Sequence, residues 1–384
     1  MKIAFFSIYL NHHQAIVADE FYKLLGDDYS FVELRKCLDN KGSTENFSLR
    51  PYLIQAWNSP EDYKKAMHLA STYDVCVFAG IESLPFEKER LKRDGLTFEM
   101  GERSLKRGWL NLLSPRLLLT QWYYHISFYK KNIYKLCCSA YAPNDLYKLH
   151  SFVGRCYKWG YFTKVDDDFE VEAPLQGAST SEITPLMWCA RFLKLKHPEL
   201  PVQLAHRLKE KGYRFHIDMF GSGEELDNTK SLIAKHCVED CVTLRGNLPN
   251  EEILKEMRNH SIFLFTSDRN EGWGAVLNEA MSNGCAVVAS DIIGSAPYLI
   301  ENGRNGLLFY SESIDSLYDK VTFLIDNRYE RMQIAYNAYN TMQSLWSPEV
   351  AAKRFIMLSD TMFHERQRAH RLFDDGPCSI AIPM

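Results

Sequence analysis

Glu271-Gly-Trp-Gly-Ala-Val-Leu-Asn-Glu279 decides the reading of this chain. Two carboxylates stand eight positions apart, separated by a Gly-Trp-Gly turn and the start of a predicted helix. The stretch before them, Ser261-Ile-Phe-Leu-Phe-Thr-Ser267, is short, apolar and aromatic, as a buried strand is. Gly284-Cys-Ala-Val-Val-Ala-Ser290, after them, reads the same way. A glycine turn between strand and helix bares backbone N–H groups, which suits an anion such as a diphosphate without any metal. With a helix starting near Ala275, Glu279 falls about one turn in, placed to accept from ribose hydroxyls. Glu271 precedes the helix, where it can meet a sugar.

Four further elements surround this stretch. Ala190-Arg-Phe-Leu-Lys-Leu-Lys196 follows the apolar run Leu186-Met-Trp-Cys-Ala190 and carries Arg191, Lys194 and Lys196. Cations aimed at a leaving group that gains negative charge lower the barrier to its departure. Phe220-Gly-Ser-Gly-Glu224 places Gly221 and Gly223 at a strand-to-helix turn. Its next positions lack the third glycine of the Gly-x-Gly-x-x-Gly fingerprint, which argues against a dinucleotide cofactor. Leu244-Arg-Gly-Asn247 and Thr266-Ser267 complete the set.

Taken in order over 184–310, the five elements resemble those of the family-4 retaining glycosyltransferases of the GT-B fold, of the bacterial polysaccharide-biosynthesis type. The resemblance implies two Rossmann-like α/β domains facing each other across a cleft. It implies transfer of a sugar from a nucleotide-diphosphate sugar, UDP before GDP, to an acceptor hydroxyl with retention, and no cofactor or metal. By the same resemblance Arg191 and Lys196 neutralise the leaving diphosphate, with Lys194 the alternative to Lys196, and Glu271 holds sugar hydroxyls. Glu279 holds the ribose. Gly272, Trp273, Gly274, Ala275 and Val276 shape the donor pocket, the last three through their amides and Trp273 through packing. Ser267, Gly221, Gly223 and the backbone of Arg245, Gly246 and Asn247 border the donor, the last three beside the base. Two other readings stay open: a nucleotide-sugar 2-epimerase on the same fold, and a non-catalytic nucleotide-sugar-binding partner.

Composition agrees with a soluble globular protein of two domains. The chain has 384 residues, 46% of them hydrophobic and 24% charged, with a net charge of -4. That length can bury two cores, and that charge gives no general attraction to nucleic acid. The N-terminus turns polar too soon for a signal peptide. The ten cysteines are scattered, as reduced thiols of a cytoplasmic protein would be. No apolar run reaches the length of a membrane span. His236, Cys237 and Cys241 lack a fourth ligand for zinc.

The predicted domains are 1–163 for the acceptor, a linker over 164–183, and 184–346 for the nucleotide sugar. A final helical region, 347–384, crosses back to the first domain and ends in a loosely ordered tail. Strands alternating with helices predict parallel sheets. In the first domain, Ser7-Ile-Tyr-Leu-Asn-His-His-Gln14 contains no glycine, a departure from the family's phosphate-facing loop. Asn11 reads as a helix cap, and His12 and His13 as cleft residues. Phe98-Glu-Met-Gly-Glu-Arg103 stands where many family members carry a histidine, so Glu102 and Arg103 become acceptor-side candidates. The basic, aromatic stretch from Lys88 to Lys135 suits peripheral contact with an anionic membrane at its inner face, and with it a lipid-linked acceptor.

Overall fold

The computed structural model describes residues 1–36, 47–106, 108, 111, 114–124, 128–165, 182–365, 369 and 372–384. The chain divides into two compact units, Met1–Thr163 with Leu345–Met384, and Lys164–Ser344. Most of the acidic stretch read as a linker, 166–181, lies outside the described residues, as do Arg107 and Trp109 of the basic stretch.

Unit 1 is built on seven parallel strands: β1 (Ile3–Ser7), β2 (Tyr29–Glu33), β3 (Leu53–Gln55), β4 (Val75–Ala79), β5 (Leu96–Gly101), β6 (Ile133–Cys137) and β7 (Cys156–Lys158). Their order is β3-β2-β1-β4-β5-β6-β7. Unit 2 holds six more: β8 (Thr184–Cys189), β9 (Phe215–Phe220), β10 (Val242–Gly246), β11 (Ile262–Phe265), β12 (Ala286–Ser290) and β13 (Leu307–Phe309). They run β10-β9-β8-β11-β12-β13, again all parallel. A parallel sheet is covered on both faces, so its strands are apolar throughout, and β11 and β12 are buried at every position. In each unit the strand order reverses once, between β1 and β4 and between β8 and β11. In open α/β sheets, ligands bind beyond the carboxyl ends of the strands at such a reversal.

Local chemistry fixes the helix starts. Asn11 accepts the Gln14 N–H at 3.0 Å and caps the helix His12–Leu25. Ser59 and Ser347 cap helices that open on Pro60 and Pro348, residues that suit a first turn. The last long helix, Pro348–His364, packs on His12–Leu25 within unit 1. Its Phe355 ring sits 5.0–5.7 Å from Phe5, Phe21, Phe98 and Trp159.

The tail differs from the sequence expectation. It is not loose. Cys378, Ser379 and Ala381 are buried. Lys158 N–H donates to Ser379 O, Cys378 N–H to Lys158 O and Ala381 N–H to Cys156 O, all at 2.8–2.9 Å. The tail thus covers the outer edge of β7. An uncovered edge strand leaves a row of unpaired N–H and C=O groups, and satisfying them is what holds the tail in place.

Candidate active site

The strand-order reversal of unit 2 brings together the loop after β8 and the loop after β11. The first is held from the side by the glycine turn. Phe192 N–H donates to Ser222 O at 2.8 Å, and Glu225 N–H donates back to Phe192 O at 2.9 Å. This backbone approach needs glycine. At Gly221 (φ 128°) an added Cβ would stand 2.0 Å from the Ala190 carbonyl oxygen, and at Gly223 (φ 153°) 2.4 Å from that of Phe192. Thr266 ties the two loops together. Its hydroxyl accepts from the Trp188 indole at 2.9 Å and donates to the Lys196 carbonyl at 2.6 Å. Asp268 N–H donates to Leu195 O at 2.9 Å.

These ties put Lys196 against Glu271, 75 positions on in the chain, in an ion pair. Both side chains are largely buried, 13% and 14% exposed, and the Lys196 ammonium also lies 5.8 Å from the Phe265 ring centroid. Arg191 is exposed and has no ion-pair partner among the described residues. Lys194 is exposed too and points to no carboxylate there, so Lys196 is the lysine that the fold brings to Glu271.

The turn after Glu271 is tight. Gly274 has φ 85°, and a Cβ there would stand 2.4 Å from Phe265 Cζ. Trp273 is buried, and its indole N–H donates to Asn278 Oδ1 at 2.9 Å. The indole is therefore a packing group that shapes the turn from inside. The N–H groups of Gly274 and Ala275 find no acceptor among the described residues. The helix Val276–Ser282 then carries Glu279. Burial pushes the Glu279 carboxyl up to about 7, against the opposing pull of a 2.9 Å hydrogen bond from Asn250 Nδ2. Burial and the Glu279 charge together push the Cys189 thiol up to about 12, so it stays protonated and is no nucleophile.

The base-loop candidates are anchored in two directions. Gly221 N–H donates to Gly246 O at 2.8 Å, and Asn247 Nδ2 donates to Ser222 Oγ at 3.0 Å. The half-exposed Arg245 side chain bonds to Asp218, its Nε donating to Asp218 Oδ1 at 2.7 Å. Asp218 Oδ2 faces the buried His260 Nε2 at 3.1 Å. Burial alone would raise the Asp218 carboxyl. The hydrogen bonds and charges of His260 and Arg245 outweigh it and hold the group at about 2. Ser267 is buried, and its hydroxyl has no partner among the described residues.

Three of these residues escaped the sequence reading: Asn250, His260 and His197. His197 has φ 49° and follows Lys196 directly. Its Nδ1 is 2.6 Å from Glu199 Oε1 and its Nε2 3.6 Å from Asp268 Oδ2. The Glu199 hydrogen bond raises its pKa and burial opposes that rise. Only its adjacency to Lys196 could have drawn attention to it.

In unit 1 the predicted acceptor residues have mixed fates. His13 is largely enclosed. Burial and the neighbouring His12 push it down to about 3, and its ring stacks 6.1 Å from Tyr161. Burial also lowers His12. Glu102 accepts from Tyr161 Oη at 2.8 Å and from Lys106 Nζ at 2.6 Å. Arg103 is 7% exposed and ion-paired with Asp145, which also accepts the Leu105 N–H.

Residues 185–341 match the family of glycosyl transferases group 1. Unit 2 is a glycosyltransferase group 1 domain. The relatives that match this glycosyltransferase domain include bacterial glycosyltransferases. The amylovoran biosynthesis glycosyltransferase AmsK of Erwinia amylovora is 35% identical over 124 residues, 31% of this chain and 30% of that protein. The GtfA subunit of the UDP-N-acetylglucosamine–peptide N-acetylglucosaminyltransferase of Streptococcus pneumoniae is 29% identical over 35% of this chain and 26% of its own length. The matched stretch thus spans less than a third of either relative. Among solved structures, Anabaena Alr3699/HepE in complex with UDP has a TM-score of 0.70 at 15% identity, covering 94% of this chain and all of that one. A glycosyltransferase from Rickettsia africae has a TM-score of 0.69 at 14% identity, covering 95% and 99%. The likeness at those identities is one of fold, and the two parallel-sheet α/β units are those of GT-B glycosyltransferases.

Proposed function

We propose that the chain moves a sugar from a UDP-sugar to an acceptor hydroxyl, with retention, in the synthesis of a bacterial polysaccharide or glycoconjugate. The observation that carries this reading is the convergence of Lys196, Glu271, Glu279 and the amides of Gly274 and Ala275, unpaired among the described residues, at one strand-order reversal. UDP is favoured over GDP because Alr3699/HepE binds UDP on the same fold. Arg191 and Lys196 then neutralise the departing β-phosphate, Glu271 accepts from sugar hydroxyls, and Glu279 accepts from the ribose. The bond from the sugar C1 to the β-phosphate oxygen breaks. The acceptor oxygen bonds to C1 on the same face, and its proton passes to the leaving phosphate oxygen. The test is proton NMR of the product made from an α-linked UDP-sugar. An α-glycoside supports the reading, a β-glycoside removes retention, and conversion without any acceptor replaces transfer by epimerisation. Turnover is expected to persist in excess EDTA, since charge neutralisation falls to Arg191 and Lys196. Loss restored by magnesium or manganese would contradict that.

Glu279 gives the donor site a pH dependence. Hydroxyl donors favour the ionised carboxylate, so the bound form gives up a proton that the free protein holds below about pH 7. Nucleotide affinity is therefore expected to fall as pH drops below 7, by up to about tenfold per pH unit, and to level off above it. Titration calorimetry of UDP from pH 5.5 to 8 measures this. Glu279→Gln should remove the component that belongs to the carboxyl and leave that of the nucleotide.

Unit 1 carries a surface suited to a membrane-bound acceptor. On the helix Pro115–Trp122, Leu118, Leu119 and Trp122 are 49%, 67% and 58% exposed, with Tyr129 and the exposed Lys88 and Lys130 in the same stretch of chain. Apolar side chains with flanking lysines favour an anionic interface. Flotation with phosphatidylglycerol vesicles, absent with phosphatidylcholine, is the expected behaviour. Among the described residues no helix is long and apolar enough to cross a membrane.

A further inference from the structure

The pairing of Lys196 with Glu271 has a chemical consequence for the order of events. If Lys196 serves the diphosphate, its charge is not free in the unliganded protein. Glu271 holds it, and both groups are largely withdrawn from water. Arg191 and Lys194 are the cations of this loop that face solvent with no ion-pair partner among the described residues. A bare nucleoside diphosphate must therefore draw Lys196 away from Glu271. That would leave the Glu271 carboxylate unpaired, largely buried and beside the incoming phosphates. An unpaired charge in such a place is costly, and it repels the phosphate as well.

An intact nucleotide sugar changes this balance. Its sugar hydroxyls are hydrogen-bond donors that can satisfy the Glu271 oxygens as Lys196 leaves them. Glu271 is then compensated and Lys196 is released to the β-phosphate. After transfer the sugar is gone, and Glu271 is free to take Lys196 back from the product diphosphate.

We propose that Glu271 is a specificity-determining residue that makes the site prefer the intact nucleotide sugar over the nucleoside diphosphate, by competing with the diphosphate for Lys196. This rests on the placement of the donor given under Proposed function. Backbone ties support it. The Thr266 bond to the Lys196 carbonyl and the Asp268 bond to Leu195 hold the backbones of both loops together. The exchange therefore needs only the lysine side chain to swing, with no loop movement.

Calorimetric titration of wild type, Glu271→Gln and Glu271→Ala with UDP, UDP-glucose and UDP-N-acetylglucosamine tests it. Wild type should bind one of the two UDP-sugars more tightly than UDP. Both variants should bind UDP more tightly than wild type, by roughly tenfold, the range expected when a cation is returned to charge-assisted bonding. Their preference for the UDP-sugar should vanish or reverse, and UDP should inhibit their residual turnover at lower concentration. Unchanged or weaker UDP binding in both variants overturns the proposal while the donor-site reading stands. Absence of binding of all three ligands to folded wild type overturns both. The alanine variant guards against a glutamine that keeps its own hydrogen bond to Lys196.

Discussion

Arg191→Ala and Lys196→Ala are each expected to lower turnover by roughly ten- to a thousandfold, the loss typical of removing one charge stabiliser from a transition state. The two variants should differ in stability. Arg191 is exposed and unpaired among the described residues, so its removal should shift unfolding free energy by no more than about 0.5 kcal/mol. Lys196→Ala leaves Glu271 without its partner at 14% exposure. Breaking a fully buried pair costs about 3–5 kcal/mol, and partial exposure here places the cost below that range. The Thr266 bond is to the Lys196 backbone and survives the change. Steady-state rates beside thermal melts separate the two effects. Near-wild-type turnover in both variants would remove these residues from the chemistry.

Deleting residues 374–384 is expected to damage unit 1 more than any point change on its surface. The deletion removes three edge hydrogen bonds to β7 and the buried Cys378, Ser379 and Ala381. It also removes the Asp375 contacts with Lys158 and Arg354. At about 1 kcal/mol per net hydrogen bond plus the lost burial, the cost is about 3–5 kcal/mol. For a unit of this size that corresponds to a fall in Tm of roughly 10 °C. The bared β7 edge should also promote aggregation. A truncated chain that melts like the full chain and stays monodisperse would show that the tail is dispensable.

The parts of the fold readable from sequence are those where one local rule decides. β11 and β12 stand out as apolar runs between glycine turns, and the helix after Gly274 begins within a residue of its expected start. Asn11 caps the first helix as its side chain predicts. Elements whose cause is tertiary were hidden. β2 ends in the buried charge of Glu33, which makes sense only once Leu10, Gln55 and Trp57 are seen donating to it. β7 is three residues long and is stabilised by a tail more than two hundred positions away. The Gly-Pro and Ile-Pro of that tail suggest looseness, but the edge it covers outweighs them.

The candidate site divides in the same way. Arg191, Lys196, Glu271 and Glu279 were legible one by one, because each lies at a strand end or helix start. That Lys196 and Glu271 are paired in the free protein was not legible, since it depends on two loops meeting. Asn250 became visible only through its bond to Glu279. The pairing of Arg103 with Asp145, 42 positions on, was hidden for the same reason.

Unit 2 is expected to hold a nucleoside-diphosphate sugar, and melting of the protein reports that binding. A ligand that binds the native state alone raises Tm in proportion to the logarithm of its concentration over Kd. The protein is to be melted with UDP-, GDP-, ADP- and TDP-glucose and with UDP-N-acetylglucosamine, each at the same concentration. A rise of several degrees is expected with at least one UDP-sugar at roughly a hundredfold excess over Kd, reduced in Glu279→Gln. A folded protein whose melting none of these ligands moves, or one stabilised equally in the Glu279→Gln variant, would contradict it.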